Sequence, residues 1–329
     1  MIAMFRTLSL SKQGLSTVGV KCAAVLGSLA LLVSVAACGT TDTNTSGSAA
    51  TASASGASSA DPQGYDTSAV TKDPEIAAML PESITKDGKL TIGADTSYAP
   101  GEFLAADGKT PIGFDVDLSR AIAAIFGLKE VTVTSTLDSV IPAVGSKYDI
   151  GLSSLTMTPQ RMDAVEFVTY FKAGSTYVVK KGNPKGIDPE HLCGQKVAIQ
   201  TGSTQEELIN QANAKCKAEG KDPMQIQSSK MQTDVTTAVA TGKADIFYSD
   251  TPVAGYAIKQ TGDVLQSIGQ DVGVTPEAVA IKKGDMATAK AVQRAIQKLM
   301  DDGTYKKILD TWGVSSGAID KAEINPRLD

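Results

Sequence analysis

The sequence predicts an α/β fold of two lobes with a ligand cleft between them, set behind an export signal and a tether. Three observations predict it. Strand-like and helix-like stretches alternate as βαβαβ after Lys89 and then begin the alternation again, the pattern of sheets with helices on their faces. An arginine, hydroxyls and a carboxylate sit on loops that follow apolar strands, in the run Ser153 to Arg161 and at Ser249-Asp250. The N-terminal part is basic, then apolar, then a run of small polar residues.

The first segment carries Arg6, Lys12 and Lys21 with no acid, and the apolar run Ala23 to Val35 is shorter than the ~20 residues a membrane span needs. Val35-Ala36-Ala37-Cys38 has the form of a lipoprotein cleavage box, with the Cys38 thiol as the site of acylation. Residues 1–37 are therefore expected to be a lipoprotein signal peptide. Gly39 to Ala60 is almost wholly Gly, Ser, Thr and Ala, and it cannot bury enough surface to offset its ordering entropy. The lipidated cysteine and a flexible linker are assigned to residues 38–72, with a short helix from Asp73 to Leu80.

Formal net charge is −5 and the pI about 5.1, with Lys and Arg scattered, which argues against a nucleic-acid partner. One histidine, His191, makes a poor metal site, so neither metal nor cofactor is expected. Of four cysteines, Cys22 leaves with the signal and Cys38 takes the lipid. Cys193 and Cys216 remain in an oxidising compartment and are expected to form a disulfide.

Within the body, Lys89 to Gly93 reads as a strand and Asp115 to Phe126 as a helix, its apolar residues spaced i, i+3, i+4, with Asp115 as cap and Gly127 as stop. Val131–Thr134 is a strand, Asp138–Val144 a short helix, and Asp149–Leu152 a strand running into the Ser153 loop. The second half offers Tyr177–Lys180, Lys196–Gln200, a helix from Thr204 to Cys216, and Asp245–Tyr248. Val279–Ile281 and helices Ala287–Met300 and Tyr305–Trp312 follow. Extended crossings near 178–181 and 274–281 are expected to join the lobes, with ligands at the C-terminal strand ends.

Arg161 presents a fork of donors suited to a carboxylate, and Thr158-Pro159 reads as a helix cap and first turn beneath it. Pairing with Asp163 or Glu166 on the surface is the alternative. Ser203 and Thr204 follow a strand and a glycine into a helix, where unpaired N–H groups suit an anion, although a capping box with Glu206 or Glu207 explains the same residues. Asp250 ends an apolar strand. Alone it would equally be a solvated aspartate before Pro252.

Between Lys89 and Gly317 the order of these parts resembles the extracytoplasmic amino-acid-binding proteins of ABC importers. The resemblance rests on the hydroxyl-x-hydroxyl-then-Arg run, on Gly113-Phe114-Asp115, on Arg161 through Phe167 to Tyr170-Phe171, and on Asp301 to Tyr305 followed by Trp312-Gly313. It implies a type II periplasmic-binding-protein-like fold. Lobe 1 would be residues 73–180 plus 279–320, lobe 2 residues 181–278, and 321–329 a C-terminal tail. It also implies a polar L-amino acid as ligand, with Arg161 and the Thr204 amide on its carboxylate and Asp250 on its ammonium. Ser154 and Thr156 would assist both, and Asp95, Tyr98, Leu137 and Ser153 would line the side-chain pocket. Pro100-Gly101-Glu102-Phe103 departs from the family, a glycine interrupting its aromatic stretch.

The implied protein is a monomer, lipid-anchored on the outer face of the cell membrane, whose partners are the ligand and ABC permease subunits. A lyase or dehydratase on the same fold and a ligand-sensing lipoprotein are the alternatives, and an enzyme would need a poised acid or base.

Overall fold

The computed structural model describes residues 62–262 and 264–328. The expected signal peptide, Cys38 and most of the linker lie outside the described residues. Residues 62–72, assigned to the linker from composition, pack on the body: Tyr65 and Val70 join its core, and the Tyr65 amide donates to Asp117 Oδ2 at 2.7 Å. The short helix expected over 73–80 forms as the single turn α1 (Pro74–Ala77), capped by Asp73, and a second turn, α2 (Glu82–Thr85), follows Pro81.

β1 (Lys89–Ala94), a small hairpin sheet of β2 (Ser97–Tyr98), β3 (Glu102–Leu104) and β4 (Pro111–Ile112), and α3 (Phe114–Phe126) open the first lobe. Gly127 ends α3 in the left-handed conformation, φ 69°, where any other residue would be strained. Gly113, not Asp115, stands at the N-cap, and the Asp115 side chain turns inward. β5 (Lys129–Thr134), α4 (Leu137–Ala143), β6 (Ile150–Gly151) and α5 (Pro159–Ala164) follow. β1 runs parallel to both β5 and β6.

The second lobe is built from β8 (Lys196–Gln200), α6 (Thr204–Ala218), β9 (Gln225–Ser229), α7 (Gln232–Thr241), β10 (Ile246–Asp250) and α8 (Thr251–Gln260). β8 lies parallel between β9 and β10. Cys193 and Cys216 form a disulfide that ties the segment before β8 to α6. α9 (Met286–Asp301) and α10 (Thr304–Trp312) return to the first lobe and pack on α3.

The crossings differ from the sequence expectation. β7 (Val165–Lys180) and β11 (Leu265–Lys282) are continuous strands, not short links, and they pair antiparallel from Val165↔Lys282 to Lys180↔Leu265. They join both halves into one mixed eight-stranded sheet of order β5-β1-β6-β11-β7-β10-β8-β9. Their register slips between Ile268 and Val272, Val272 and Thr275, and Glu277 and Ala278, interruptions that weaken the ladder where the lobes meet. Separate apolar clusters fill the two ends, one around Leu118, Ile122, Phe126 and Ile296, the other around Val197, Ile199, Ile209 and Ile246. Residues 321–328 also belong to the body, since Glu323 and Asn325 hydrogen-bond along the β7 edge at Phe167 and Thr169.

Candidate functional site

β1, β6, β8 and β10 end at one place. The loops they deliver close on a small cavity of about 10 Å³ lined by Tyr98, Leu137, Ser153, Ser154, Thr156, Arg161, Ser203, Thr204, Gln205 and Asp250. Nine of the ten expected binding residues therefore face one cavity. Asp95 does not.

Arg161 rises from the first turn of α5, capped as its Thr158-Pro159 start predicts, with the Arg161 amide donating to Thr158 Oγ1 at 3.2 Å. Its guanidinium donates to the Thr156 carbonyl at 2.8 Å and, across the lobes, to the Gly202 carbonyl at 2.9 Å. Two of five N–H donors are thus committed, and the rest of the fork remains for an acceptor in the cavity. Burial lowers its pKa, while Glu207 and Asp250 favour the charge. No ion pair with Asp163 or Glu166 forms at this distance range among the described residues. Glu166 instead accepts from Gly284, Asn325 and Lys283.

Asp250 ends β10 and precedes α8. Its Oδ2 accepts from the Tyr98 hydroxyl at 2.5 Å, and its Oδ1 from Gln205 Nε2 at 2.7 Å and Ser175 Oγ at 3.4 Å. Burial raises its pKa, opposed by those three hydrogen bonds and by Arg161. Gln205 and Ser175 escaped the sequence reading. Gln205 lies one residue past the predicted Thr204, and nothing in its local sequence marks that amide as buried.

Ser203 caps α6, accepting from the Glu206 amide at 3.0 Å, and Glu206 reaches back to the Gly202 amide at 2.8 Å. Of the two capping boxes considered, this one forms, and Thr204 begins the helix with its N–H end toward the cavity loops. Gly202 stands at φ 82°, and a Cβ there would lie 2.8 Å from that of Asp138 on α4. Only glycine lets the lobes approach this closely.

Asp95 is buried behind the cavity. Its Oδ1 accepts from the Ser97 amide at 3.1 Å and hydroxyl at 2.8 Å; its Oδ2 accepts from the Leu137 amide at 3.1 Å and, across the lobes, from Gln200 Nε2 at 2.8 Å. Asp95 thus does not line the cavity itself; its carboxylate holds the Leu137 amide and joins it to Gln200 of the other lobe. The Gln232 amide on Ser97 Oγ at 3.0 Å and Lys230 near Asp138 at 3.7 Å complete a closed arrangement.

Ser154, at φ 43°, is held in this unusual conformation by Asp115, whose Oδ2 accepts from its amide at 2.7 Å, its hydroxyl at 3.2 Å and the Tyr170 hydroxyl at 2.9 Å. Ser153 donates to Glu102 Oε1 at 2.6 Å. Burial raises the Asp115 carboxyl to about 6 and drives Glu102 well above the usual range, so Glu102 keeps its proton and shares it with Asp115. The Gly101 departure makes room here, because a Cβ at that position would come 2.8 Å from Ser154 Oγ.

Comparison with known proteins identifies the pattern. The family described as bacterial extracellular solute-binding proteins, family 3, matches residues 90–315. The arginine-binding protein ArgT of Corynebacterium glutamicum is 31% identical over 306 residues, 92% of this chain and 95% of that protein. Among solved structures, an ancestral arginine-binding protein bound to arginine superposes with a TM-score of 0.63 at 31% identity, covering 68% of this chain and 98% of its own. An ancestral amino acid-binding protein, a precursor of cyclohexadienyl dehydratase, gives the same TM-score of 0.63 at 33% identity over 70% of this chain and 98% of its own.

Proposed function

The chain belongs to family 3 of the bacterial extracellular solute-binding proteins, and from that premise we propose that it captures a polar L-amino acid, preferably a basic one, outside the cytoplasmic membrane and delivers it to an ABC importer. One observation carries the ligand reading: Arg161 from one lobe and Asp250 from the other face a single small cavity, a cation and an anion spaced by hydroxyls. A zwitterion supplies the complementary pair. The ligand carboxylate takes the free part of the Arg161 fork and the Thr204 amide, a charge-assisted clamp at a helix start. Its ammonium takes Asp250 in place of the Tyr98 hydroxyl. The side chain then passes between Tyr98 and Leu137 toward the Asp95–Gln200 pair.

Because the two charged groups come from different lobes, the ligand stabilises the closed arrangement, and closure presents the permease with a shape to recognise. Lobes of 73–180 plus 279–320 and of 181–278 would move on β7 and β11. The body is a monomer held to the membrane by a lipid on Cys38, so Cys38→Ser should shed it into the medium or leave it unprocessed. Retention of a processed Cys38→Ser protein would sink the anchor.

The ancestral structure that preceded a dehydratase makes an enzyme the second reading. Binding without chemistry is favoured because Asp250, the one carboxylate among the cavity's lining residues, is committed to the ligand ammonium in this reading, leaving no second acid or base over the cavity. Mass spectrometry of small molecules released from gently purified protein separates the two. An unchanged amino acid is expected; a deaminated or dehydrated acid would overturn the binding reading.

A further inference from the structure

Glu277 on β11 has no part in the clamp above, yet it is placed directly behind it. It is 2% exposed, and its Oε2 has no hydrogen-bond partner. Its backbone fixes the Ser154–Met157 loop from below: Thr156 bridges to Glu277, the Met157 amide donates to the Pro276 carbonyl at 3.0 Å and the Ala278 amide to the Leu155 carbonyl at 3.0 Å. On its other edge Glu277 pairs with Phe171 of β7. The carboxyl therefore sits where the cavity loop and the two interlobe strands converge.

The charged and titratable groups around it come from every neighbouring element. Asp250 of β10 and Asp115 of α3 act on Glu277 as like charges, Ser154 of the cavity loop lies beside it, and it acts in turn on Tyr98 of β2, Tyr170 of β7 and Tyr305 of α10. No cation is among them. Three of these groups, Asp250, Ser154 and Tyr98, also line the ligand cavity.

We propose that Glu277 is a neutral acid beneath the ligand's ammonium subsite, and that it gives up its proton when an ammonium group is clamped at Asp250. The inference rests on the reading of Asp250 given above. Burial together with Asp250 and Asp115 drives the Glu277 carboxyl well above the usual range, so it enters the cycle protonated. A positive ligand group at Asp250 cancels the nearest like charge and adds an attraction. The O–H bond of Glu277 breaks, its electron pair stays on the carboxylate, and the proton passes to solvent. Binding and deprotonation are then linked, so affinity rises with pH wherever the free protein holds a proton that the complex does not.

Titration calorimetry with L-arginine in buffers of widely different ionisation enthalpy tests this. The observed heat should vary linearly with the buffer's enthalpy, with the slope of proton release, and Kd should fall by up to tenfold per pH unit wherever the free protein holds the proton and the complex does not. Glu277→Gln keeps the size without the titrating proton, and should bind with a heat independent of buffer. A buffer-independent heat in the wild-type protein would overturn the proposal, as would release that persists in Glu277→Gln, which would assign the proton to Asp250. Should that variant fail to fold, Glu277→Met, which removes the titrating carboxyl at similar size, carries the same comparison. Absence of heat with all amino acids would instead defeat the functional reading on which it rests.

Discussion

Replacing Arg161 with alanine removes the one cation that faces the cavity from its lining residues. In the closed structure its guanidinium already bonds the carbonyls of Thr156 and Gly202, so the substitution strips a cross-lobe contact along with the ligand's carboxylate partner. A carboxylate closed into the cleft without its cation costs about 2–5 kcal/mol, and each 1.4 kcal/mol is tenfold in Kd, so affinity should fall by roughly 30- to 5,000-fold. Arg161→Lys retains charge but lacks the planar fork; losing one charge-assisted hydrogen bond of about 1.5 kcal/mol corresponds to about tenfold. The ordering wild type, Lys, Ala is therefore the expectation. Isothermal calorimetry with L-arginine measures it, and thermal melting confirms that the fold survives. Affinity of Arg161→Ala within threefold of wild type would refute the clamp.

Reduction of Cys193–Cys216 opens a crosslink of sequence separation 23, worth about 3.4 kcal/mol in the chain-entropy model, and should lower the melting temperature. A melting curve unchanged by reductant, with both thiols alkylated, would contradict it. Glu102 and Asp115 carry raised pKa values, so the stabilisation from their shared proton is complete at low pH and lost as pH rises through the folded values, about 6 for Asp115 and higher for Glu102. Glu102→Gln can still donate to Asp115 and accept from Ser153 without titrating. Its melting temperature should therefore gain on the wild type as pH rises through about 6 and beyond, and a gap that stays constant or reverses would exclude the shared proton. In a thermal-shift screen, basic or amide amino acids should rank first and acidic ones last, because Asp95 lies at the end of the side-chain path. A preference for glutamate would show that path to be misread.

Much of the fold was legible where local chemistry decides it. Lys196–Gln200 emerges with the bounds its apolar run suggests, α9 is one residue longer at each end and α10 one longer at its start, and Thr158-Pro159 and Ser203 start their helices as their side chains require. The long crossings were hidden for opposite reasons. β7 is buried on both faces almost throughout, which erases the alternation that marks a strand, whereas β11 is exposed and polar from Gln270 to Gly273 and reads as a loop. α7 and α8 were missed because threonines and valines, and Pro252 with Gly255, weaken their helical signal.

The site divides in the same way. Arg161, Thr204 and Asp250 stand at motif positions and were visible. That Asp95 stands behind the cavity and not on its wall was not legible, because its partner Gln200 lies 105 residues away, a contact that tertiary packing alone creates. Glu102, Asp115 and Glu277 form a buried acidic layer under the serines, and nothing local in their sequence distinguishes buried carboxyls from solvated ones.

The most direct test is a crystal structure of the protein with L-arginine. The α-carboxylate is expected on the Arg161 guanidinium and the Thr204 amide, the ammonium on Asp250, and the side chain between Tyr98 and Leu137. A ligand bound elsewhere, for example in the larger depression beside Phe103, Gln232 and Tyr256, or bound with its two charged ends exchanged, would contradict the assignment.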